Sequence, residues 1–163
     1  MSKNAKQSSN SKRVSNSLVI GLALVTLLSV GILFAYQKPS EAADIVVYKS
    51  PTCGCCKAWI SHLKENGYTV DVRDQANVSP IKKEFGVPMN LQSCHTAKVD
   101  GYVIEGHVPA DLITKLRKEK PQIKGLAVPG MPMGSPGMEG PRKDDYDIIA
   151  FEENGKTSVY ASR

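Results

Sequence analysis

Residues 45–57 read Ile45-Val46-Val47-Tyr48-Lys49-Ser50-Pro51-Thr52-Cys53-Gly54-Cys55-Cys56-Lys57, a short apolar run followed closely by three of the chain's four cysteines. The apolar run is typical of a buried strand that ends at Ser50-Pro51. From Lys57 onward, apolar residues recur at helical spacing up to Asn66-Gly67, a typical C-terminal cap. The stretch therefore predicts a strand, a turn that bears thiols, and a helix that begins near the cysteines.

The segments that follow extend this pattern into a mixed α/β domain. Residues 68–72 alternate in polarity and predict a second strand, and residues 78–85 predict a second, shorter helix. Further on, the sequence predicts a strand or hairpin over residues 98–105, a helix over 109–120 with proline in its first turn, and a closing hairpin of 146–151 and 157–160. The order strand, helix, strand, helix predicts a thioredoxin-like α/β domain with an insertion after Gly86.

A loop rich in Met, Pro and Gly interrupts the second half of the domain. It reads Val128-Pro129-Gly130-Met131-Pro132-Met133-Gly134-Ser135-Pro136-Gly137-Met138. Met131 and Met133 are candidate thioether ligands for a soft metal, because Pro132 separates them on a stiff backbone. Packing or disorder is the alternative interpretation of these methionines. Pro129 is also expected to be the cis proline that faces the cysteines in thioredoxin-like proteins.

The N-terminal part has the layout of a secretory or anchoring segment. Residues 1–17 are polar and basic, and residues 18–36 run for 19 residues without a charge. This run is nearly long enough to span a bilayer, while Ser40-Glu41-Ala42-Ala43 offers small residues for cleavage. Both alternatives, a cleaved signal and an inner-membrane anchor in residues 1–43, export a domain of residues 44–163 to the periplasm or another extracytoplasmic space.

The charge distribution argues against nucleic acid as a partner. The whole chain has a formal charge of +5, but residues 44–163 carry 16 Lys and Arg against 15 Asp and Glu. A nearly neutral domain lacks the basic surface that nucleic-acid binding requires. Contact with a membrane is expected only through the N-terminal segment.

The thiol-bearing turn is compatible with several chemistries. Cys53 and Cys56 form a C-x-x-C pair, and Cys55 adds a third sulfur. Clustered thiolates suit Cu(I), and they also bind Zn(II). In an oxidising compartment the pair could instead form a disulfide. In a thiol–disulfide oxidoreductase, Cys53 would attack and Cys56 would resolve. The sequence leaves open whether the protein is an enzyme.

The remaining donor residues lie in the second half of the chain. Cys94 is expected to converge on the same site, since three thiols are clustered elsewhere and no other cysteine is left to pair with it. His95 and His107 are further candidate ligands, although a single histidine is more often hydrogen-bonded or on the surface. His62 lies on the first predicted helix, away from the apolar positions, and is expected to be solvated.

Several motifs occur in the order found in a known family. They are 52–56, Val87-Pro88, Ser93-Cys94-His95-Thr96, residues 101–110 (GYVIEGHVPA) and residues 127–132 (AVPGMP). Over residues 44–162 the chain resembles the CopG-like, CxCC-containing family of periplasmic copper-resistance proteins, long described as a domain of unknown function.

The resemblance implies a thioredoxin-like fold, Cu(I) bound by cysteines, and a link to copper tolerance. It points to Cys53, Cys55, Cys56 and Cys94 as the sulfur ligands. The expected function is an extracytoplasmic protein that holds Cu(I) for copper tolerance, delivery or redox interconversion. Its expected partners are metal ions and copper-transport or copper-resistance proteins.

Overall fold

A seven-stranded mixed sheet organises residues 43–163, the part of the chain that the computed structural model describes. The elements are β1 Ile45–Lys49, α1 Gly54–Glu65, β2 Val70–Asp74, α2 Ser79–Glu84, β3 His95–Val99, β4 Tyr102–Gly106, α3 Ala110–Glu119, β5 Gly125–Val128, β6 Asp147–Phe151 and β7 Thr157–Ser162, with a 3₁₀ turn at Met89–Leu91. All the described residues belong to one compact unit. The structure confirms a mixed α/β fold.

The sheet combines parallel and antiparallel neighbours in the order β2-β1-β3-β4-β5-β6-β7. The two parallel pairs, β1 with β2 and β4 with β5, are each connected by a helix, α1 and α3 respectively. Parallel neighbours need a long crossover connection, here a helix, because a tight turn would make the next strand antiparallel. The other neighbours are antiparallel. They include β3–β4, where the sequence predicted a strand or hairpin over residues 98–105, and the predicted hairpin β6–β7.

Apolar side chains cover both faces of the sheet. On one face α1 and α3 bury Trp59, Leu63, Ile113 and Leu116 in the larger hydrophobic core. A smaller cluster contains Val87, Leu91, Val103, Ala127 and Phe151. Strand neighbours divide between the two clusters, since successive side chains point to opposite faces. Phe85, Val87 and Leu91 pack in or against the smaller cluster, so residues 85–91 cover the face of the sheet opposite α1 and α3.

Several predicted elements are confirmed, with shifts that have local causes. The first strand has the predicted bounds, and the helix at the cysteines begins at Gly54 with Cys53 as its N-cap. The second strand begins two residues later than predicted. Tyr68 N donates to Leu63 O and Gly67 adopts φ 87°, so these two residues close the helix instead of opening the strand. Strand β5 was not predicted.

The described residues test the expected cis proline but not the expected signal or anchor segment. Residues 43–163 contain no cis peptide bond, so the expectation of a cis Pro129 is wrong. In the same part of the chain, no helix combines the length and the apolar character needed to cross a bilayer. The predicted signal or anchor, residues 18–36, lies outside the described residues.

Candidate metal centre

The sheet register places the donor-bearing segments at the same end of the neighbouring strands. Lys49 at the end of β1 pairs with His95 at the start of β3, and Gly106 at the end of β4 pairs with Val128 at the end of β5. The thiol turn follows β1, Cys94 precedes β3, and the methionine-containing loop follows β5. These segments therefore emerge side by side although they are far apart in the sequence.

Four sulfur atoms form the centre of the site. The Sγ atoms of Cys53, Cys55, Cys56 and Cys94 all lie within 4.8 Å of one another. Cys55 Sγ is 3.5 Å from Cys53 Sγ and 3.9 Å from Cys94 Sγ. The structure thus brings Cys94 to the thiol turn, as expected from the sequence, and the role of the four residues as ligands stays a prediction.

Two of these sulfurs are bonded to each other. Cys53 and Cys56 form a disulfide, whereas Cys55 and Cys94 are free. This is the C-x-x-C disulfide that the sequence offered as an alternative to a set of free thiols. Cys53 Sγ also accepts a hydrogen bond from Cys56 N at 3.3 Å, which caps the first turn of α1. Reduction of this bond is required before all four sulfurs can bind a metal.

Two buried histidines complete a second donor group with Cys94. His107 Nε2 lies 3.1 Å from Cys94 Sγ, and His95 Nδ1 lies 3.4 Å from it. The three ligand atoms of this group lie within 4.8 Å of one another. His107 Nδ1 is 2.8 Å from the carbonyl oxygen of Pro136. A proton on Nδ1 donates to that oxygen and leaves the Nε2 lone pair directed at the sulfur.

Burial sets the protonation of the donors around Cys94. It raises the pKa of the Cys94 thiol to about 12, with a further contribution from neighbouring Cys55, so this thiol holds its proton at neutral pH. Burial also lowers the pKa of His95 and of His107. Both imidazoles are therefore neutral near pH 7, the form that binds metal ions.

Aromatic packing fixes the orientation of His95. Its ring lies 4.3 Å from the Trp59 ring and 5.3 Å from the His107 ring, measured between centroids. Trp59 Nε1 donates to Val108 O at 2.9 Å, which anchors the indole next to the site. His95 Nε2 is buried without a hydrogen-bond partner. The imidazole is thus held by packing while its Nδ1 atom lies near Cys94 Sγ.

A buried ion pair supports the backbone that carries Cys94. Glu105 on β4 is fully buried and accepts hydrogen bonds from Ser93 N, from Thr96 Oγ1 and from Lys82 Nζ on α2. Lys82 Nζ also donates to Thr96 Oγ1 at 2.9 Å. These bonds fix the chain on both sides of Cys94. This network was not predicted from the sequence, although a glutamate within the apolar run of β4 is a visible signal.

The loop after β5 contacts the site through two residues that were not predicted. Pro136 O binds His107, and Gly137 lies so close to α1 that a Cβ there would be 2.7 Å from Trp59 N and 2.8 Å from Cys55 O. Gly137 also has φ +85°, which favours glycine. Met131 is 38% exposed and Met133 is partly buried. Their role as ligands stays a prediction.

The expectation for His62 is wrong. His62 is half-buried, and its Nε2 accepts a hydrogen bond from Ala110 N at 3.1 Å. Pro109, the residue at the N-cap of α3, has no side-chain oxygen with which to cap the helix. The histidine therefore satisfies one of the free N–H groups at the beginning of α3. This contact gives His62 a structural role, because it links α1 to the beginning of α3.

The fold and the site define a mixed α/β protein with a cluster of cysteine and histidine donors. Residues 91–138 match a family model described as "Protein of unknown function, DUF411". The chain is 48% identical to the solved structure named "Copper resistance protein copG- Form 2", covering 76% of this chain and 99% of that chain with a TM-score of 0.71. It is also 48% identical to the structure named "Form 1" of the same protein, covering 73% and 95% with a TM-score of 0.69.

The chain belongs to the CopG family of copper resistance proteins. The resemblance inferred from the sequence is thereby confirmed. A comparison with curated proteins found no match.

Proposed function

We propose that the protein binds copper, mainly as Cu(I), through the thiolates of Cys53, Cys55, Cys56 and Cys94, and that it serves copper tolerance, delivery or redox interconversion. The observation that carries this proposal is the convergence of four Sγ atoms within 4.8 Å from two separate parts of the chain. Thiolates are soft ligands and favour Cu(I). The relatives' name, copper resistance protein, supports copper over Zn(II), which the same donors also accept.

The donor set extends beyond the four sulfurs. Cys94 belongs both to the four-sulfur group and to the group with His95 and His107. A thiolate can bridge two soft ions, so the combined set has room for more than one copper ion. The proton on Cys94 must leave when copper binds, and copper loading therefore releases protons.

The proposal includes a thioredoxin-like fold and an extracytoplasmic location. We take the arrangement β1-α1-β2 next to β3-β4-α3 as the thioredoxin-like pattern, with Cys94 directly before the strand that pairs with β1. The apolar residues 18–36 favour export to an extracytoplasmic space, either as a cleaved leader or as an anchor. Copper-transport or copper-resistance proteins in that space are the partners that would exchange the ion.

An anaerobic titration of the fully reduced full chain with Cu(I), against a competing chelator, tests copper binding. Cys55→Ser and Cys94→Ser should each lower the Cu(I) affinity by at least tenfold, because each removes a thiolate from the central group. Ser61→Ala is the matched control, since Ser61 is exposed on α1 and its hydroxyl bonds only to Lys57 O among the described contacts. Unchanged Cu(I) affinity in both cysteine variants would contradict the four-sulfur site.

A second candidate function is thiol–disulfide exchange by Cys53 and Cys56. The disulfide between them, placed at the beginning of a helix, favours this alternative. An insulin-reduction assay separates the two functions. If exchange is the function, Cys53→Ser abolishes the activity, whereas Cys55→Ser and Cys94→Ser retain it. If the wild-type chain reduces no insulin, this alternative is wrong.

A further inference from the structure

We propose that Cys55 and Cys94 form a second disulfide when the protein is oxidised, so that the chain exists in a form with all four sulfurs paired. These two cysteines are the ones left free beside the Cys53–Cys56 disulfide. Their Sγ atoms are 3.9 Å apart, and both residues are partly buried. Cys55 lies in the first turn of α1, and Cys94 directly precedes β3.

The geometry leaves Cys55 one partner. With Cys53 and Cys56 bonded to each other, Cys94 is the remaining thiol among the described residues. A disulfide has an S–S distance of about 2 Å, so the two sulfurs must approach by roughly 2 Å. Rotation of a cysteine side chain between staggered positions moves its sulfur by more than this. A side-chain rotation is therefore large enough to account for the approach of the two sulfurs.

The reaction is thiol–disulfide exchange with an external disulfide as the oxidant. The Cys55 thiolate attacks one sulfur of that disulfide, and a mixed disulfide forms while one thiol leaves. Cys94 then gives up its proton as its sulfur attacks Cys55 Sγ; the Cys55–Cys94 bond forms, and the second thiol leaves carrying that proton. The two cysteines lose two electrons and the external disulfide gains them. The protons of the two cysteines end on the two released thiols.

The second bond changes what the site can bind. In the doubly bonded form no sulfur remains as a thiolate, and α1 is tied covalently to the start of β3. Copper capture would then be controlled by the redox state of the surroundings. This consequence depends on the proposed copper-binding function, whereas formation of the bond depends on the geometry and on the external disulfide.

Peptide mapping tests the bond directly. The reduced full chain is incubated anaerobically with oxidised glutathione, blocked with N-ethylmaleimide and cleaved with trypsin, which separates residues 50–57 from residues 84–98. We expect mass spectrometry to find these two peptides linked. Cys55→Ser should abolish the link, and the double variant Cys53→Ser with Cys56→Ser should retain it. If the wild-type peptides are unlinked, or if the link persists in Cys55→Ser, the proposal is wrong.

A copper measurement on the same samples tests the consequence. The doubly bonded chain should bind at least tenfold less Cu(I) per protein than the reduced chain, and dithiothreitol treatment followed by its removal should restore binding. Equal Cu(I) binding by the two forms would overturn redox control of copper capture. If the reduced chain itself binds no Cu(I), the proposed function fails, and the peptide map still decides whether the bond forms.

Discussion

Glu105 shows how one charged residue can support a site that it does not contact directly. Its carboxylate is fully buried and accepts bonds from Lys82 and from the backbone beside Cys94. Replacement by Gln keeps the shape of the side chain but leaves the buried ammonium of Lys82 without a counter-charge. Removing one partner of a buried ion pair lowers the free energy of unfolding by about 3–5 kcal/mol.

We therefore expect Glu105→Gln to lower the free energy of unfolding by that amount in urea denaturation of the reduced, metal-free chain. Asp71→Asn is the matched control, because Asp71 pairs with Arg73 on the surface, where such pairs contribute about 0–1 kcal/mol. Equal losses in the two variants would show that the buried network has no special importance for stability.

Gly137 is the second residue whose replacement should affect the site. Gly137→Ala introduces a Cβ 2.7 Å from Trp59 N, and the loop must move away from α1. Gly155→Ala is the matched control, since Gly155 has φ +83° but no atom within 4 Å of an added Cβ. Both variants carry left-handed backbone strain of about 1 kcal/mol.

Gly137→Ala should be the more destabilising of the two variants in urea denaturation. It should also weaken Cu(I) binding severalfold, because displacement of the loop removes the Pro136 oxygen from His107. If the two variants lose stability equally and both bind Cu(I) like the wild type, the close contact between the loop and α1 does not hold the site together.

The carboxylate of Asp44 joins the beginnings of two strands, β1 and β2. Asp44 accepts hydrogen bonds from Thr69 N at 2.9 Å and from Thr69 Oγ1 at 2.7 Å, and it pairs with Arg117. The hydrogen bonds from Thr69, together with Arg117, lower the pKa of Asp44 below its ordinary value. Its stabilising contribution is therefore complete above the unfolded pKa and is lost as the pH falls through the lower folded value.

The corresponding prediction concerns Asp44→Asn. The variant should be less stable than the wild type at pH 7, and the difference should shrink when the pH is lowered to about 3, where the carboxylate becomes protonated in the unfolded chain. Urea denaturation of both proteins across this pH range measures the difference. A difference that stays constant with pH would rule out a contribution from the Asp44 charge.

The elements that sequence reasoning identified are those with strong local signals. Strand β1 ends at Ser50-Pro51, α1 has an apolar stripe and a cap, and the last hairpin has Asn154-Gly155 at its turn. Strand β5 has only four residues, all buried, and shows no alternation in polarity. A fully buried short strand cannot be recognised by periodicity, because both of its faces are apolar.

The sequence predicted that Cys94 meets the thiol turn, but it did not predict the contacts that hold these residues in place. Counting thiols led to Cys94, since it was the one cysteine outside the cluster. The histidine contacts, the Glu105 network and the approach of Gly137 depend on the sheet register and on loop docking. These are long-range properties that no short window of sequence contains.

The convergence of the donor residues at the ends of neighbouring strands has a consequence for the copper binding proposed above. Cys94, His95 and His107 lie at the ends of β3 and β4, which pair with neighbouring strands on both sides, and the other three sulfurs lie at the beginning of a capped helix. The positions of these donor residues are thus set by the sheet and the helix, whereas small zinc domains depend on their metal for folding. The proposed copper site would therefore need little rearrangement of the backbone to bind or release an ion.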